Sequence, residues 1–100
     1  MPYLGKNYIL ELILRAANKN HIAAYKLNVD LDNSLPGLMI CMPNGRTLFV
    51  YTRTDAKDIS NAERKTYEEL KANKQSVYIV TSDEVESFIT WILEEVEAME

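Results

Sequence analysis

The chain has 100 residues, of which 47% are hydrophobic and 26% are charged, and its formal net charge is −4. This composition predicts one globular domain and excludes disordered and fibrous chains. No apolar run reaches about 18 residues and no signal-peptide pattern opens the sequence, so we expect neither a membrane span nor secretion. The one cysteine, Cys41, lies among apolar residues, which fits a buried thiol in the cytoplasm.

The first predicted elements are a helix and a strand. Apolar residues recur at helical spacing from Tyr3 to Asn18. Glu11 is the only carboxylate of this helix, and we expect it to pair with Arg15 one turn further on. The segment from Ile22 to Val29 predicts a strand, and we expect the alternate set that contains Tyr25 to be its core face.

Two polar features near this strand bear on metal binding. His21 is the only histidine, and no Cys or His partner stands at ligand spacing, which argues against a zinc site. The loop after the strand carries Asp30 and Asp32, two carboxylates that could hold a hard cation. Because the loop lacks a calcium-loop glycine and a closing Glu, turn chemistry explains it as well.

The central feature is a hairpin. Leu38–Met42 and Thr47–Thr52 are apolar runs on either side of Asn44-Gly45, a pair typical of a type I′ turn. The two runs show little alternation, which predicts that at least one strand is covered on both faces.

A second helix and a last strand follow the hairpin. Ser60 and Glu63 form a capping box that predicts a helix start, and the helix extends to about Asn73. Its apolar stripe is thin and its exposed side is rich in basic residues. Ser76–Thr81 then predicts a strand, because it is rich in β-branched and aromatic residues.

The last helix is both strongly periodic and acidic. Ser82 is its predicted cap, and the apolar stripe extends from Val85 to Val96 with Trp91 beside it. Trp91 either covers the sheet edge or anchors a partner. Residues 83–100 hold seven acidic residues and no Lys or Arg, whereas residues 1–82 hold eleven basic and eight acidic residues. A dedicated nucleic-acid binder usually has a clearer basic excess.

Four short stretches follow one another in an order that resembles a known family. They are Pro36-Gly37, Asn44-Gly45-Arg46, Phe49-Val50-Tyr51-Thr52-Arg53 and Ile59-Ser60-Asn61-Ala62-Glu63. With the order of elements they resemble the VRR-NUC domain of the PD-(D/E)XK nuclease superfamily, over most of the chain. That family has Pro-Asp, a Gly-Arg-like turn, a strand like Phe-Val-Glu-Leu-Lys, and a Leu-Ser-x-x-Gln helix start. The resemblance implies one α/β (α+β) domain over residues 1–100, with three layers, a four-stranded mixed sheet and the order α-β-β-β-α-β-α.

The resemblance also implies that the family's chemistry is lost. Gly37 stands at the metal-binding Asp position, Tyr51 at the Glu position, Arg53 at the Lys position and Glu63 at the Gln position. Cleavage by this superfamily needs a divalent metal that polarises the phosphate and activates water. Arg53 keeps a positive charge but cannot be deprotonated to act as a base. We therefore expect no catalytic residue and no cofactor.

One enzymatic alternative stays open at this point. In some superfamily members the metal-binding Glu has migrated to the second helix, where this chain has Glu63. Together with Asp32 and Glu11, Glu63 would form a rearranged Mg²⁺ site. The capping box explains Glu63 equally well without a metal.

Three functions follow as hypotheses. The first is a nuclease-fold pseudoenzyme, of viral or mobile-element origin, that binds a protein or nucleic-acid-handling partner, for example as an inhibitor of host defence. The second is a nuclease with the rearranged site, and the third is a non-cleaving nucleic-acid binder. The residues expected to contact phosphate are Arg46, Arg53 and Lys65; those expected to bind a protein partner are Asp83, Glu86, Trp91, Glu94 and Glu97.

Overall fold

Three helices and four strands follow one another in the predicted order in a computed structural model that describes residues 5–27 and 34–98. Within these residues, no helix has the length and apolar character that crossing a bilayer requires. A short 3₁₀ turn, Ala56–Asp58, precedes the second helix. The elements are α1 (Lys6–Lys19), β1 (Ala23–Lys26), β2 (Leu38–Cys41), β3 (Thr47–Thr52), α2 (Asn61–Ala72), β4 (Ser76–Val80) and α3 (Val85–Ala98).

The strands form one mixed sheet in the order β1-β2-β3-β4. The pairs β1–β2 and β2–β3 are antiparallel, and β3–β4 is parallel. A parallel pair needs a crossover connection, which α2 supplies. The four-stranded mixed sheet predicted from the sequence is therefore confirmed.

Helices cover the sheet on both faces. Leu38 and Val50, which lie opposite each other, are fully buried in one core cluster with residues of α1 and α3. Side chains alternate along a strand, so Tyr51 faces the other side, where its ring meets Tyr67 of α2 edge-on at 6.4 Å between centroids. The result is the predicted three-layer arrangement.

The core face of β1 is the opposite of the one predicted. Ala24 lies opposite Ile40 in the ladder, and residues directly opposite in an antiparallel pair share a face. Because Ile40 is fully buried, Ala24 is drawn into the core, and Tyr25 is 56% exposed. Pairing with β2 therefore determines which face of β1 is buried. Of the predicted strand, Asn28 and Val29 lie outside the described residues.

The hairpin turn also differs from the prediction. The Gly45 N–H donates to the Met42 carbonyl at 3.0 Å, and Gly45 has a φ of 89°. Asn44 does not have the positive φ that a type I′ turn requires. Pro43 sits at the second position of the turn, where its fixed φ suits a type I turn followed by a glycine bulge. The Asn44 side chain accepts from the Arg46 N–H at 2.9 Å and supports the bend.

The helix starts agree only in part with the sequence. The Ser60–Glu63 capping box is present, which confirms the start of α2. Gly5 has an extended conformation, so α1 begins at Lys6 and not at Tyr3, which lies outside the described residues. Ser82 does not cap α3; its hydroxyl donates to the Thr54 carbonyl at 3.1 Å, and the helix begins at Val85.

Candidate functional site

A cleft of about 450 Å³ lies where β3 ends, between the first turns of α1 and α2. The buried Thr52 hydroxyl donates to the Lys6 carbonyl at 2.9 Å and so joins the end of β3 to the first turn of α1. The cleft contains most of the positions to which the sequence assigned the nuclease chemistry. It is lined by Lys6, Asn7, Leu10, Glu11, Lys26, Leu27, Leu35, Gly37, Thr52, Arg53, Ser60 and Glu63.

Neither carboxylate position of the family supplies an oxygen to this cleft. Gly37 lines the wall without a side chain, and a Cβ at Gly37 would lie 3.5 Å from Leu10 Cδ1. Tyr51 is 1% exposed, and its hydroxyl donates to the Ser34 carbonyl at 2.5 Å. The phenol therefore fills the space beneath α2 and ties the strand to the segment before β2.

The other two positions, Arg53 and Glu63, form an ion pair with each other. Their side chains are 17% and 7% exposed. Glu63 Oε2 accepts from Arg53 and Glu63 Oε1 accepts from the Ser60 N–H at 3.1 Å, so both carboxylate oxygens have a donor. Arg53 also donates to the Thr52 carbonyl at 2.6 Å. Burial lowers the pKa of Arg53 from its usual value, and the nearby Tyr51 and Asp58 oppose that shift.

The second carboxylate of the cleft is paired as well. Glu11 forms an ion pair with Lys26 of β1, not with Arg15 as the sequence suggested. The hydrogen bond from Lys26 is the main reason that the pKa of Glu11 lies below its usual value, and Arg15 acts only as a lesser charge. The pairing follows from the fold, because Lys26 follows Ala24 by two residues at the end of β1, beside α1.

The proposed magnesium ligands are not assembled in the described part of the chain. Glu11 and Glu63 both line the cleft, but each is bonded to a cation. Asp32 lies outside the described residues. Among residues 5–27 and 34–98, no group of three His, Cys, Asp or Glu side chains is placed to hold a metal ion.

The residues predicted to contact phosphate lie apart. Arg46 precedes β3 and Arg53 follows it, so a six-residue strand, about 20 Å long, separates them. The Arg46 guanidinium is held by the Ser76 hydroxyl at 2.9 Å and the Tyr78 hydroxyl at 3.0 Å. Lys65 is exposed on α2. The three cations do not form one patch.

The acidic residues predicted to bind a partner lie on the surface. Asp83 precedes α3, and Glu86, Glu94 and Glu97 lie along it, all four exposed. Trp91 is half-buried and packs on Tyr78 and Phe88, with ring centroids 5.4 Å and 5.8 Å away. Trp91 thus packs on the face of the sheet at its edge strand, β4.

Sequence reasoning found the positions of the cleft but missed its two ion pairs. The spacing between Arg53 and Glu63 has no helical or strand period, since a loop and a 3₁₀ turn separate them. No local pattern in the sequence indicated this pair, because the burial that demands it appears only in the structure. A capping-box Glu that is 5% exposed needs a second donor for its charge.

Solved structures of similar fold agree with this architecture. One, described as a VRR_NUC domain, matches with a TM-score of 0.63 and 17% identity, covering 82% of this chain and 95% of its own. Another, described as a VRR_NUC domain protein, has a TM-score of 0.69 and 12% identity, covering 93% and 91%. No protein-family model and no curated protein sequence matches this chain. The chain therefore has the VRR-NUC fold expected from its sequence.

Proposed function

We propose that this nuclease-fold chain performs no metal-dependent cleavage and works by binding a protein partner. The observation that carries the proposal is the Arg53–Glu63 ion pair in the cleft. It joins the residues at the family's Lys and Gln positions, and it leaves the Glu63 carboxylate with a donor on each oxygen.

The energetics of this pair oppose a rearranged metal site. A metal at Glu63 would have to displace a guanidinium that is itself largely buried. Removing one member of a buried ion pair leaves an uncompensated charge and costs about 3–5 kcal/mol. Carboxylates that bind catalytic metals also act in sets, and the other carboxylate that lines the cleft, Glu11, is bonded to Lys26.

The charge distribution favours a protein partner with a basic surface. Asp83, Glu86, Glu94 and Glu97 give the α3 side of the molecule a negative potential that repels nucleic acid. Of the cations predicted to contact phosphate, Arg46 and Arg53 lie at opposite ends of β3, and each is already bonded within the chain. We assign partner binding to this acidic side together with Trp91. A viral or mobile-element origin and a role as an inhibitor of host defence stay predictions.

A cleavage assay tests the proposal. Purified protein is incubated with single- and double-stranded DNA and RNA in Mg²⁺ or Mn²⁺, beside an EDTA control and a Glu63→Gln variant. We expect no cleavage in metal beyond the EDTA background, and no difference between wild type and variant.

Metal-dependent cleavage that requires Glu63 would contradict the proposal. Cleavage that requires Mn²⁺ or Mg²⁺ and disappears in Glu63→Gln, while circular dichroism shows an intact fold, would establish the rearranged site. The matched control is Glu69→Gln, which changes an exposed carboxylate on the same helix and leaves the cleft untouched.

A further inference from the structure

The outer edge of β4 has no neighbouring strand within the described residues. The Arg53 N–H donates to the Val80 carbonyl at 3.1 Å, which shows that Val80 directs its backbone groups toward β3. Successive residues of a strand face alternate neighbours, so Val77 and Ile79 direct their N–H and carbonyl groups outward. Such a row of backbone donors and acceptors is a template for another strand.

An apolar groove of about 400 Å³ lies beside this edge. It is floored by three aromatic rings, since Tyr78 and Phe88 are 5.7 Å apart between centroids and Trp91 packs on both. An added strand would place one of its side chains over these rings. The full lining is Tyr78, Ile79, Val80, Glu84, Ser87, Phe88 and Trp91.

Acidic residues border the groove along α3. Glu84 is part of the lining, and Glu94 and Glu95 follow Trp91 by three and four residues, which places them beside it on the helix. Near the start of β4, the Arg46 guanidinium already donates to the Ser76 and Tyr78 hydroxyls. A second copy paired symmetrically at this edge would bring two acidic flanks together, whereas a basic segment would be attracted.

We propose that the free edge of β4 binds an extended basic segment of a partner protein as a fifth strand. Its main chain bonds to Val77 and Ile79, one apolar side chain lies on the Tyr78–Phe88–Trp91 rings, and its cations face the acidic flank. Strand addition of this kind takes affinity from backbone bonds and specificity from alternate side chains. The inference deepens the proposed function and rests on it for a partner that is a protein.

A synthetic peptide that alternates lysine with valine and has phenylalanine at its centre is the probe. Trp91 is the chain's only tryptophan, so its fluorescence reports occupancy of the groove. We expect a saturable change in Trp91 emission and slowed amide exchange at Val77 and Ile79. The same peptide with all of its backbone amides methylated keeps its side chains but has no N–H to donate on either edge, and we expect it not to bind. Equal binding of the methylated peptide would overturn strand addition.

Two matched substitutions test the edge from the protein side. Ile79→Pro removes one outward N–H, and proline is tolerated at such edge positions, whereas Ile79→Ala keeps the N–H. We expect the proline variant to bind about tenfold more weakly than the alanine variant, the equivalent of about 1.4 kcal/mol. Equal affinities of two folded variants would contradict the proposal. Should the proline variant not fold, the methylated peptide decides the question.

A charge-matched pair tests the acidic flank. Replacing Glu94 and Glu95 by Gln should weaken binding several-fold at low salt. Replacing Glu68 and Glu69 by Gln, two exposed carboxylates of α2 on the other face of the sheet, changes the net charge equally and should change binding far less. If both double variants lose the same affinity for the peptide, the effect depends only on net charge, and the assignment of Glu94 and Glu95 to the binding site is wrong.

The outcomes separate this inference from the proposed function. Sedimentation measures whether the protein associates with itself. If the wild type self-associates and Ile79→Pro does not, the edge of β4 binds a second copy and the inference is wrong. Protein that does not cleave and ignores the peptide would overturn the inference alone. Cleavage abolished by Glu63→Gln would overturn the proposed function, whatever the peptide does.

Discussion

Glu63 combines a helix cap with a buried charge pair. Its Oε1 accepts from the Ser60 N–H, and its Oε2 accepts from Arg53, which lies at the end of β3. A Glu side chain that is 7% exposed is stable as a carboxylate only when such donors replace water. The pair therefore ties α2 to the sheet at the cleft.

Glu63→Ala should lower the free energy of unfolding by about 3 kcal/mol, because it leaves the Arg53 guanidinium unpaired. Ser60→Ala is the control, since it removes only the cap and should cost about 1 kcal/mol. Urea denaturation measures both values. If the two variants lose equal stability, the ion pair adds nothing beyond the cap.

The exposed pair Glu11–Lys26 predicts a pH effect. The pKa of Glu11 is lowered from 4.5 in the folded chain, chiefly by the Lys26 hydrogen bond. A depressed folded pKa contributes stability above the unfolded value, and this stability is lost as the pH falls through the folded value. By NMR titration, Lys26→Met should raise the pKa of Glu11 clearly, and Arg15→Met should raise it less. Equal shifts would show that general charge, not the hydrogen bond, is the cause.

At the scale of elements, α1 and α2 both end with a residue in the left-handed conformation. His21 has a φ of 61° after α1, and Lys74 has a φ of 63° after α2. The Gln75 N–H donates back to the Leu70 carbonyl at 2.9 Å and the Lys74 N–H to Lys71, which closes the last turn of α2. Glycine is the usual residue at such a position, because it has no Cβ to clash with the backbone.

Lys74→Gly should therefore stabilise the protein by about 0.5–1 kcal/mol. Glycine removes the steric cost of a side chain in the left-handed conformation, and the greater conformational entropy of the unfolded glycine chain offsets part of this gain. Lys65→Gly, at an exposed position in the body of α2, should destabilise it by about 1 kcal/mol. Thermal unfolding of the two variants gives the comparison. A Lys74→Gly protein less stable than wild type would mean that the Lys74 side chain has a stabilising contact.

At the scale of the whole molecule, the cleft lies where the layers diverge. α1 contacts one face of the sheet, α2 covers the other, and the ends of β1 and β3 lie between their first turns. Two cation–anion pairs, Arg53–Glu63 and Glu11–Lys26, neutralise both carboxylates that line this opening, and Lys6 adds a further cation. A divalent cation would therefore meet carboxylates that are already neutralised.

Divalent metal should not stabilise the fold. A ligand that binds only the folded state raises the melting temperature with its concentration. We expect Mg²⁺ or Mn²⁺ to have the same effect as sodium chloride of equal ionic strength. A metal-specific rise that vanishes in Glu63→Gln, but persists in the exposed-site control Glu69→Gln, would place a metal at the cleft.

Local chemistry was sufficient for much of the fold. The hairpin strands, the Ser60–Glu63 capping box and the periodic α3 were predictable, because each depends on residues close together in the chain. The turn type was not, since Pro43 ahead of Asn44 favours a type I turn with a glycine bulge over the type I′ turn typical of Asn-Gly alone.

The sequence by itself determined the order of elements, the four-stranded mixed sheet, and a cleft without the family's two carboxylates. The tertiary structure alone decided which face of β1 is buried, because the register with β2 places Ala24 opposite the buried Ile40. It also decided the partners of Glu11 and Glu63. A carboxylate pairs with the cation that the packing of helices on the sheet brings close to it. Lys26 and Arg53 are too far along the chain from Glu11 and Glu63 for a helical or strand period to predict the pairs.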